Sequence, residues 1–223
     1  LTHPAWLIGD CRGTAVGMNY YDHCTEQNFP IPKEPVIFSK FASSICAGGD
    51  PLPLEEELTQ ELDFEVELAI VIGRMGRHIS KEDALAHIAG WTVAHDVSAR
   101  DWQLRRSGNQ WCRAKSFDTF CPLGPWIVTP DELPDPLHLE ITGRLNSNIM
   151  QQSNTSRMIF DVPALLEFLS ADTTLPAGSV ILTGTPHGVG MARRPPVWLQ
   201  PGNTVSVEIE GIGTLTNPVV EAA

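Results

Sequence analysis

The chain has 223 residues, of which 42% are hydrophobic and 19% are charged, a composition typical of a globular protein that buries a sizeable core. It carries 15 Lys and Arg residues against 27 Asp and Glu residues, a formal net charge of −12, so the surface repels phosphate backbones and a nucleic-acid partner is not expected. No apolar run reaches the roughly 18 residues that a membrane span requires, so no membrane partner is expected.

Short apolar or alternating segments bounded by glycine and proline predict a β-rich fold. In chain order, strands are predicted at 36–41, 66–72, 91–94, 126–129, 137–145, 180–183 and 204–209. Helices are predicted at 19–27, 80–88, 98–106 and 161–170, the last with Asp161 as its N-cap and Pro163 in its first turn. Strands outnumber helices without alternating regularly with them, which disfavours a doubly wound parallel sheet. The sequence therefore predicts one β-rich α+β domain over residues 1–223.

The segment LDFEVELAIVIG (residues 62–73) carries acids at alternate positions before it becomes apolar. Because side chains alternate across a strand, Glu65 and Glu67 share one face. Ala69 and Val71 continue that face, so the acids at its start must be solvated, paired or metal-bound. Carboxylates so arranged suit a hard cation that needs several oxygen ligands. The alternative for alternating acids is a solvated face on an edge strand.

A second acidic segment, WTVAHDVSARDWQ (residues 91–103), follows an apolar run. Asp96 lies where that run stops, so it either caps a helix beginning at Val97 or supplies a third oxygen ligand from a neighbouring strand end. His95 is interpreted as a packing residue, because a carboxylate-rich site suits Mg²⁺, Mn²⁺ or Ca²⁺ better than zinc. Asp63 shares the face of Glu65, but no motif assigns it a role beyond that of a solvated or supporting acid.

Three further features concern catalysis and ligand binding. NYYDHCTEQ (residues 19–27) places His23 and Glu26 three positions apart, so on a helix they share a face and Glu26 could orient a general base; a solvated helix face is the alternative. The loop GTPHGVG (residues 184–190) has backbone N–H groups suited to an anionic ligand, but it lacks the lysine of a P-loop and the dinucleotide fingerprint. The five scattered cysteines form no C-x-x-C pair and no nucleophile motif, which is typical of reduced intracellular thiols.

These segments, in their order along the chain, resemble the fumarylacetoacetate hydrolase family. The resemblance is carried by GMNYYDHCTE, EPVIFSKFASSI, LDFEVELAIVIG, AHDVSARDWQ, AKSFDTFCPLGP, QSNTSRMIF and VILTGTPHGVG. It runs from about residue 17 to residue 209 and is greatest with the mitochondrial-type fumarylacetoacetate hydrolase domain-containing proteins, while residues 1–16 match poorly. It implies a mixed β-sheet roll or sandwich with a few short helices, a homodimer, one bound Mg²⁺ (or Mn²⁺ or Ca²⁺), and a mitochondrial location, with the cytoplasm as the alternative.

The resemblance also implies roles for individual residues, transferred position by position. They are metal binding for Glu65, Glu67 and Asp96, base catalysis for His23 and Glu26, a place beside the metal and the substrate oxygens for Lys115, and substrate contacts for Gln103 and Thr185. Some relatives have an arginine at the position of Met18, so one contact to a substrate carboxylate is not expected here.

The implied activity is Mg²⁺-dependent hydrolytic cleavage of a C–C bond in an acylpyruvate-type 2,4-diketo acid. His23, aligned by Glu26, would activate water, and the metal and Lys115 would hold the departing pyruvate enolate. An alternative with the same site is keto–enol tautomerisation or decarboxylation of oxaloacetate. A third hypothesis, a non-catalytic protein that binds a metal or a metabolite, is disfavoured because all the matching site positions are present.

Overall fold

The computed structural model describes residues 13–106, 108–133 and 135–222. The helices of this part are α1 (Tyr21–Gln27) and α2 (Val162–Ser170), accompanied by short 3₁₀ and π turns. The strands are β1 (Gly13–Gly17), β2 (Val36–Lys40), β3 (Ile45–Ala47), β4 (Leu52–Leu54), β5 (Leu62–Asp63), β6 (Val66–Ile72), β7 (Ile88–His95), β8 (Ser98–Ala99), β9 (Cys121–Val128), β10 (Glu140–Leu145), β11 (Asn148–Asn154), β12 (Val180–Leu182), β13 (Thr204–Ile209) and β14 (Gly213–Glu221). The expected β-rich fold with few helices is confirmed.

A mixed seven-stranded sheet has the order β2-β1-β12-β6-β7-β9-β3. Strand β6 is central, antiparallel to both β12 and β7. Neighbours on both sides and packing on both faces explain why all seven residues of β6 are buried, including Glu67. The predicted strand at 66–72 is therefore confirmed, but its acids are not on a solvated edge.

A second sheet has the order β11-β10-β13-β14-β4. Its strand β13 shows the predicted alternation, since Val205, Val207 and Ile209 are buried and the residues between them are half-buried. The same hydrophobic cluster contains residues of β13 and residues of β6 such as Leu68 and Ile70. The two sheets thus pack on a common core, and a third sheet pairs β5 with β8.

Two predicted helices are wrong over part of their length. At 80–88 only a 3₁₀ turn forms, at Ala84–His87, because Ile88 already pairs with Ile72 as the start of β7. At 98–106 the chain first forms β8 and then a π-helical turn at Trp102–Arg106. Helix α2 is confirmed with Asp161 as N-cap, its Oδ1 accepting from Ala164 N at 2.9 Å.

Half of the strands were not predicted. The long strand β14 contains Pro218, whose presence hides a strand pattern, yet it pairs with β13 and β4.

The poorly matched segment 1–16 lies outside the described residues except for its last four, which begin β1. In the described ranges, neither α helix has the length and apolar character to cross a bilayer.

Candidate active site

Three acidic side chains meet where the central strands β6 and β7 lie side by side. The antiparallel register pairs Val66 with His95, so Glu65 precedes β6 at the point where Asp96 leaves β7, and Asp96 N donates to Glu65 O at 3.0 Å. One carboxylate oxygen from each of Glu65, Glu67 and Asp96 lies within 4.8 Å of the others, and all three residues are buried. This group of three, the acid triad, could bind a divalent metal ion. Asp96 caps no helix.

Two buried lysines pair with the acid triad. Lys115 Nζ donates to Glu65 Oε2 at 2.7 Å, to Asp96 Oδ2 at 2.8 Å and to Ser98 Oγ at 2.8 Å. Lys40 Nζ donates to Asp96 Oδ1 at 2.6 Å and to Phe120 O at 2.7 Å. Lys115 is therefore buried beside the acid triad.

Arg100 is a third buried cation at the site. Its Nη2 donates to Glu65 Oε1 at 2.6 Å, its Nε to Asp63 Oδ2 at 2.8 Å and its Nη1 to Gln103 Oε1 at 2.8 Å. Asp63 is fully buried. Of the two alternatives that the sequence left open for Asp63, a solvated or a supporting acid, the buried position fits the supporting one.

The buried charges shift the pKa values of the triad in opposite directions. Burial raises the pKa of Glu65, but Lys115 and Arg100 outweigh it, so the net pKa lies below the usual range. Burial, together with Asp96 and Glu65, raises the pKa of Glu67 well above its usual value. Among the described residues no lysine or arginine forms an ion pair with Glu67. A proton or a metal ion must therefore balance the charge of Glu67.

The donor set fits a divalent cation. Four buried acids (Asp63, Glu65, Glu67 and Asp96) face three buried cations (Lys40, Arg100 and Lys115), which leaves an excess of negative charge. An ionised carboxylate offers about four lone-pair positions, so an oxygen that accepts from a lysine can also bind a metal. Three carboxylates and no thiol suit a hard cation. His95 is buried as predicted, and burial lowers its pKa to about 3.

The predicted base pair is brought together by helix α1. His23 and Glu26 are one turn apart, and His23 Nδ1 lies 2.7 Å from Glu26 Oε1. The other oxygen of Glu26 accepts from Gly188 N at 2.8 Å. With Nδ1–H donated to Glu26, Nε2 is the basic nitrogen of the ring.

The glycine-rich loop at 184–190 binds carboxylates of the protein itself, where the sequence predicted an anionic ligand. Gly184 N donates to Glu67 Oε2 at 2.7 Å, Gly188 N to Glu26, and Gly190 N to Asp63 Oδ1 at 2.7 Å. One loop therefore contacts an acid of the triad and the acid of the base pair.

A cavity of about 210 Å³ connects these groups. Its polar wall contains six of the predicted site residues together with Arg100, and the remaining wall is apolar. The polar residues are His23, Glu65, Glu67, Arg100, Gln103, Lys115 and Thr185, and the apolar ones include Met18, Phe29, Phe38, Leu104, Trp111 and Met191. Thr185 is held by donating to Val66 O at 2.9 Å and accepting from Gln151 Nε2 at 2.8 Å. Glu26 and Asp96 do not line the cavity themselves but contact residues that do, His23 and Lys115 respectively.

Residues 13–220 match the family model described as the C-terminal region of fumarylacetoacetate (FAA) hydrolase. The chain belongs to the fumarylacetoacetate hydrolase family. This membership confirms the resemblance inferred from the sequence motifs and makes the chain a member of a family of enzymes.

Curated relatives in this family have names that concern oxaloacetate. The chain is 55% identical over 220 residues to mitochondrial oxaloacetate tautomerase fahd2 of Xenopus laevis, covering 99% of this chain and 67% of the relative. It is 57% identical over 205 residues to mitochondrial oxaloacetate tautomerase FAHD2A of Homo sapiens, covering 92% of this chain and 65% of the relative. The chain thus spans about two thirds of the length of these relatives.

Solved structures of the family have the same fold. Fumarylacetoacetate hydrolase from Exiguobacterium antarcticum matches with a TM-score of 0.89 and 44% identity, covering 96% of this chain and 76% of the other. 5-Carboxymethyl-2-hydroxymuconate delta-isomerase from Mycobacterium smegmatis matches with a TM-score of 0.83 and 45% identity, covering 95% and 79%. These family members are named for a hydrolysis and for an isomerisation.

Lys40 is a buried neighbour of the acid triad that no sequence motif predicted. One signal could have found it: in the strand VIFSK, Lys40 shares the inward face with Phe38, and both are buried. A lysine on the inward face of a strand needs a partner, which here is Asp96. The partner itself could not be read from the pattern.

Proposed function

We propose that the chain is a metal-dependent oxaloacetate keto–enol tautomerase. The observation that carries this proposal is that His23, backed by Glu26, and the acid triad meet at one small cavity. Tautomerisation requires a base that transfers a proton and a group that stabilises the neighbouring oxygen. The His23–Glu26 pair can supply the base, and a metal ion on the acid triad can stabilise the oxygen. The names of the similar relatives from Xenopus laevis and Homo sapiens support the same activity.

Glu65, Glu67 and Asp96 would hold the metal, for which we propose Mg²⁺ because all three ligands are carboxylates. When bound, such an ion supplies a Lewis acid that polarises the 2-oxo group. Lys115 is already 2.7 Å from Glu65 and 2.8 Å from Asp96, so its positive charge also lies where an enolate oxygen would be stabilised.

In the proposed reaction, one proton moves between C3 and the oxygen on C2 of oxaloacetate. With Nδ1–H held by Glu26, Nε2 of His23 takes a proton from C3 of the keto form, which leaves an enolate, and the resulting imidazolium then gives this proton to the oxygen on C2. In the reverse direction, Nε2 takes the proton of the enol hydroxyl and the imidazolium returns it to C3. The carboxylate of Glu26 stabilises the imidazolium that exists between these two steps. Gln103 and Thr185 line the same cavity and would contact the substrate.

The size of the cavity supports a small substrate. Its volume of about 210 Å³ lies below the roughly 300–1,000 Å³ of sites for drug-sized ligands. A four-carbon acid suits this space. The apolar wall around Phe29, Leu104 and Trp111 offers no hydrogen-bonding side chain except the indole N–H of Trp111.

Hydrolysis of an acylpyruvate is the second candidate. The same apolar wall could receive a short acyl chain, and the His23–Glu26 pair could activate water instead of moving a carbon-bound proton. The related structure named fumarylacetoacetate hydrolase supports this alternative.

The test is to follow the decay of enol absorbance of oxaloacetate, with Mg²⁺ and with EDTA. We expect acceleration only with Mg²⁺, no release of pyruvate, and loss of the acceleration in His23→Ala. Acetylpyruvate cleavage that is faster than enol decay would instead identify a hydrolase. Pyruvate release from oxaloacetate would identify a decarboxylase.

We further propose a mitochondrial location and a homodimer. The names of the similar relatives support the location, and the family resemblance supports the homodimer. A single domain is supported by the core that the two large sheets share. Light scattering after size-exclusion chromatography measures the mass of the assembly against the 24.4 kDa of one chain.

A further inference from the structure

Asp63 is a fully buried carboxylate outside the cavity wall whose oxygens are all used. Oδ1 accepts from Phe64 N at 2.8 Å and from Gly190 N at 2.7 Å. Oδ2 accepts from Arg100 Nε at 2.8 Å and from Met191 N at 3.0 Å. Four donors match the four lone-pair positions of a carboxylate, so Asp63 joins the glycine-rich loop to Arg100.

The contact between Asp63 and the loop needs a glycine. A Cβ placed on Gly190 would lie 2.6 Å from Asp63 Oδ1 and 1.9 Å from Val197 O, both shorter than any normal contact. Only a residue without a side chain lets the loop backbone approach the carboxylate this closely. The loop is therefore fitted to Asp63 at the position next to Met191, which lines the cavity.

Arg100 links Asp63 to Glu65 of the acid triad by hydrogen bonds. With its Nε on Asp63, the guanidinium places Nη2 at 2.6 Å from Glu65 Oε1 and Nη1 at 2.8 Å from Gln103 Oε1. A guanidinium is planar and rigid, so fixing one edge fixes the direction of the other N–H groups. Lys115 takes the second oxygen of Glu65. The rotation of the Glu65 carboxylate is thus determined from both sides.

We propose that Asp63 is a positioning residue that orients the metal ligand Glu65 through Arg100. The proposal rests on the proposed metal site, but not on the reaction catalysed there. Partners in the layer behind metal ligands typically change metal affinity about 10–100-fold when they are mutated. Asp63 lies in that layer, because it does not itself line the cavity but accepts hydrogen bonds from Arg100 and Met191, which do.

The test is a titration with Mn²⁺ alone, followed by calorimetry, on the full chain. Asp63→Asn keeps the volume but turns an NH₂ group toward Arg100 Nε or the loop N–H groups, where two donors then oppose each other. We expect the Kd for Mn²⁺ to rise about 10-fold or more. Arg100→Lys keeps the positive charge but removes the planar guanidinium that contacts Asp63, Glu65 and Gln103 at once. We expect a similar rise in the Kd for Mn²⁺.

The double variant gives the sharper result. If Asp63 acts through Arg100, both substitutions disrupt the same chain of hydrogen bonds from Asp63 through Arg100 to Glu65. The double variant Asp63→Asn with Arg100→Lys should therefore bind Mn²⁺ no more weakly than the worse of the two single variants. The control is Asn217→Ala, which removes the hydrogen bonds that Asn217 Nδ2, on β14 of the second sheet, donates to Ala47 O and Asp50 O. It should lower Tm and leave the Kd for Mn²⁺ within twofold of wild type.

Several outcomes overturn the proposal. They are a folded Asp63→Asn variant with wild-type Kd, effects of the two substitutions that multiply, and, should Asp63→Asn fail to fold, an Arg100→Lys variant with wild-type Kd. Because no substrate is present, the result is independent of the reaction. A wild-type chain without tautomerase activity whose Asp63→Asn variant binds Mn²⁺ weakly would refute the proposed function and leave this role of Asp63 standing.

Discussion

Lys40 Nζ lies 2.6 Å from Asp96 Oδ1, and both side chains are completely buried. The two residues are 56 positions apart in the chain. Strand β2 at the edge of the large sheet brings the lysine to the end of β7, where Asp96 also contacts Lys115. Two acids of the triad, Glu65 and Asp96, are therefore held by buried cations.

Replacing Lys40 should destabilise the protein more than replacing an ordinary surface lysine. Lys40→Met keeps most of the volume but leaves the charge of Asp96 with one partner fewer in a buried site. We expect a loss of about 3–5 kcal/mol in the free energy of unfolding, measured by urea denaturation in EDTA. Lys33→Met, at an exposed position, is the control. A loss below about 1 kcal/mol would contradict this assignment.

Glu67→Gln should separate metal binding from folding. The amide oxygen of glutamine can still accept from Gly184 N, and the substitution removes a buried charge that has no cationic partner among the described residues. We expect Tm in EDTA at or above that of wild type. We also expect the rise of Tm with added Mg²⁺ to disappear, because the variant lacks one anionic ligand.

Glu57→Gln, on an exposed residue, provides the matched control for that experiment and should keep the Mg²⁺-dependent rise of Tm. If Glu67→Gln responds to Mg²⁺ as wild type does, Glu67 is not a metal ligand. If it unfolds in EDTA well below wild type, the buried carboxylate stabilises the metal-free fold and our electrostatic argument is wrong.

The base pair can be tested apart from the metal. His23→Ala should lower kcat/KM for tautomerisation about 10²–10⁴-fold, the usual contribution of a general base. Glu26→Gln should cause a smaller loss, because the ring remains but its orienting charge is gone. Neither variant should change the Kd for Mg²⁺. His138→Ala, on an exposed histidine, should leave both quantities unchanged, and equal activity in His23→Ala would eliminate His23 as the base.

His95 should make the stability of the protein depend on pH in the acidic range. Burial lowers its pKa from 6.5 to about 3, so between these values the unfolded chain binds a proton that the folded chain does not. The stabilisation is complete above pH 6.5 and is lost as pH falls toward 3, at up to about 1.4 kcal/mol per pH unit.

The measurement is urea denaturation at pH 7, 6 and 5 for wild type and His95→Gln. The free energy of unfolding should fall more steeply with decreasing pH in wild type than in the variant. Parallel curves would show that His95 takes up its proton equally in the folded and unfolded states.

Parts of the site that depend on neighbouring positions could be predicted from the sequence. The two-residue period of a strand put Glu65 and Glu67 on one face, and the helical spacing of His23 and Glu26 produced their 2.7 Å contact. The boundaries of β6 and the N-cap of α2 agree with their patterns for the same reason. These features follow from backbone geometry over a few residues, and the family motifs then added Asp96 and Lys115.

Tertiary structure alone decided which distant residues meet. Asp63 and Arg100 are 37 positions apart, and their pairing depends on β5 lying against β8. Three N–H groups of the loop at 184–190 donate to acids from helix α1 and from the segment 62–73. Such contacts are set by the order of strands in the sheets and by the packing of their faces, and a local pattern contains no information about either. The sequence by itself therefore determined which acids could bind a metal, whereas the fold determined which cations and backbone groups hold those acids in place.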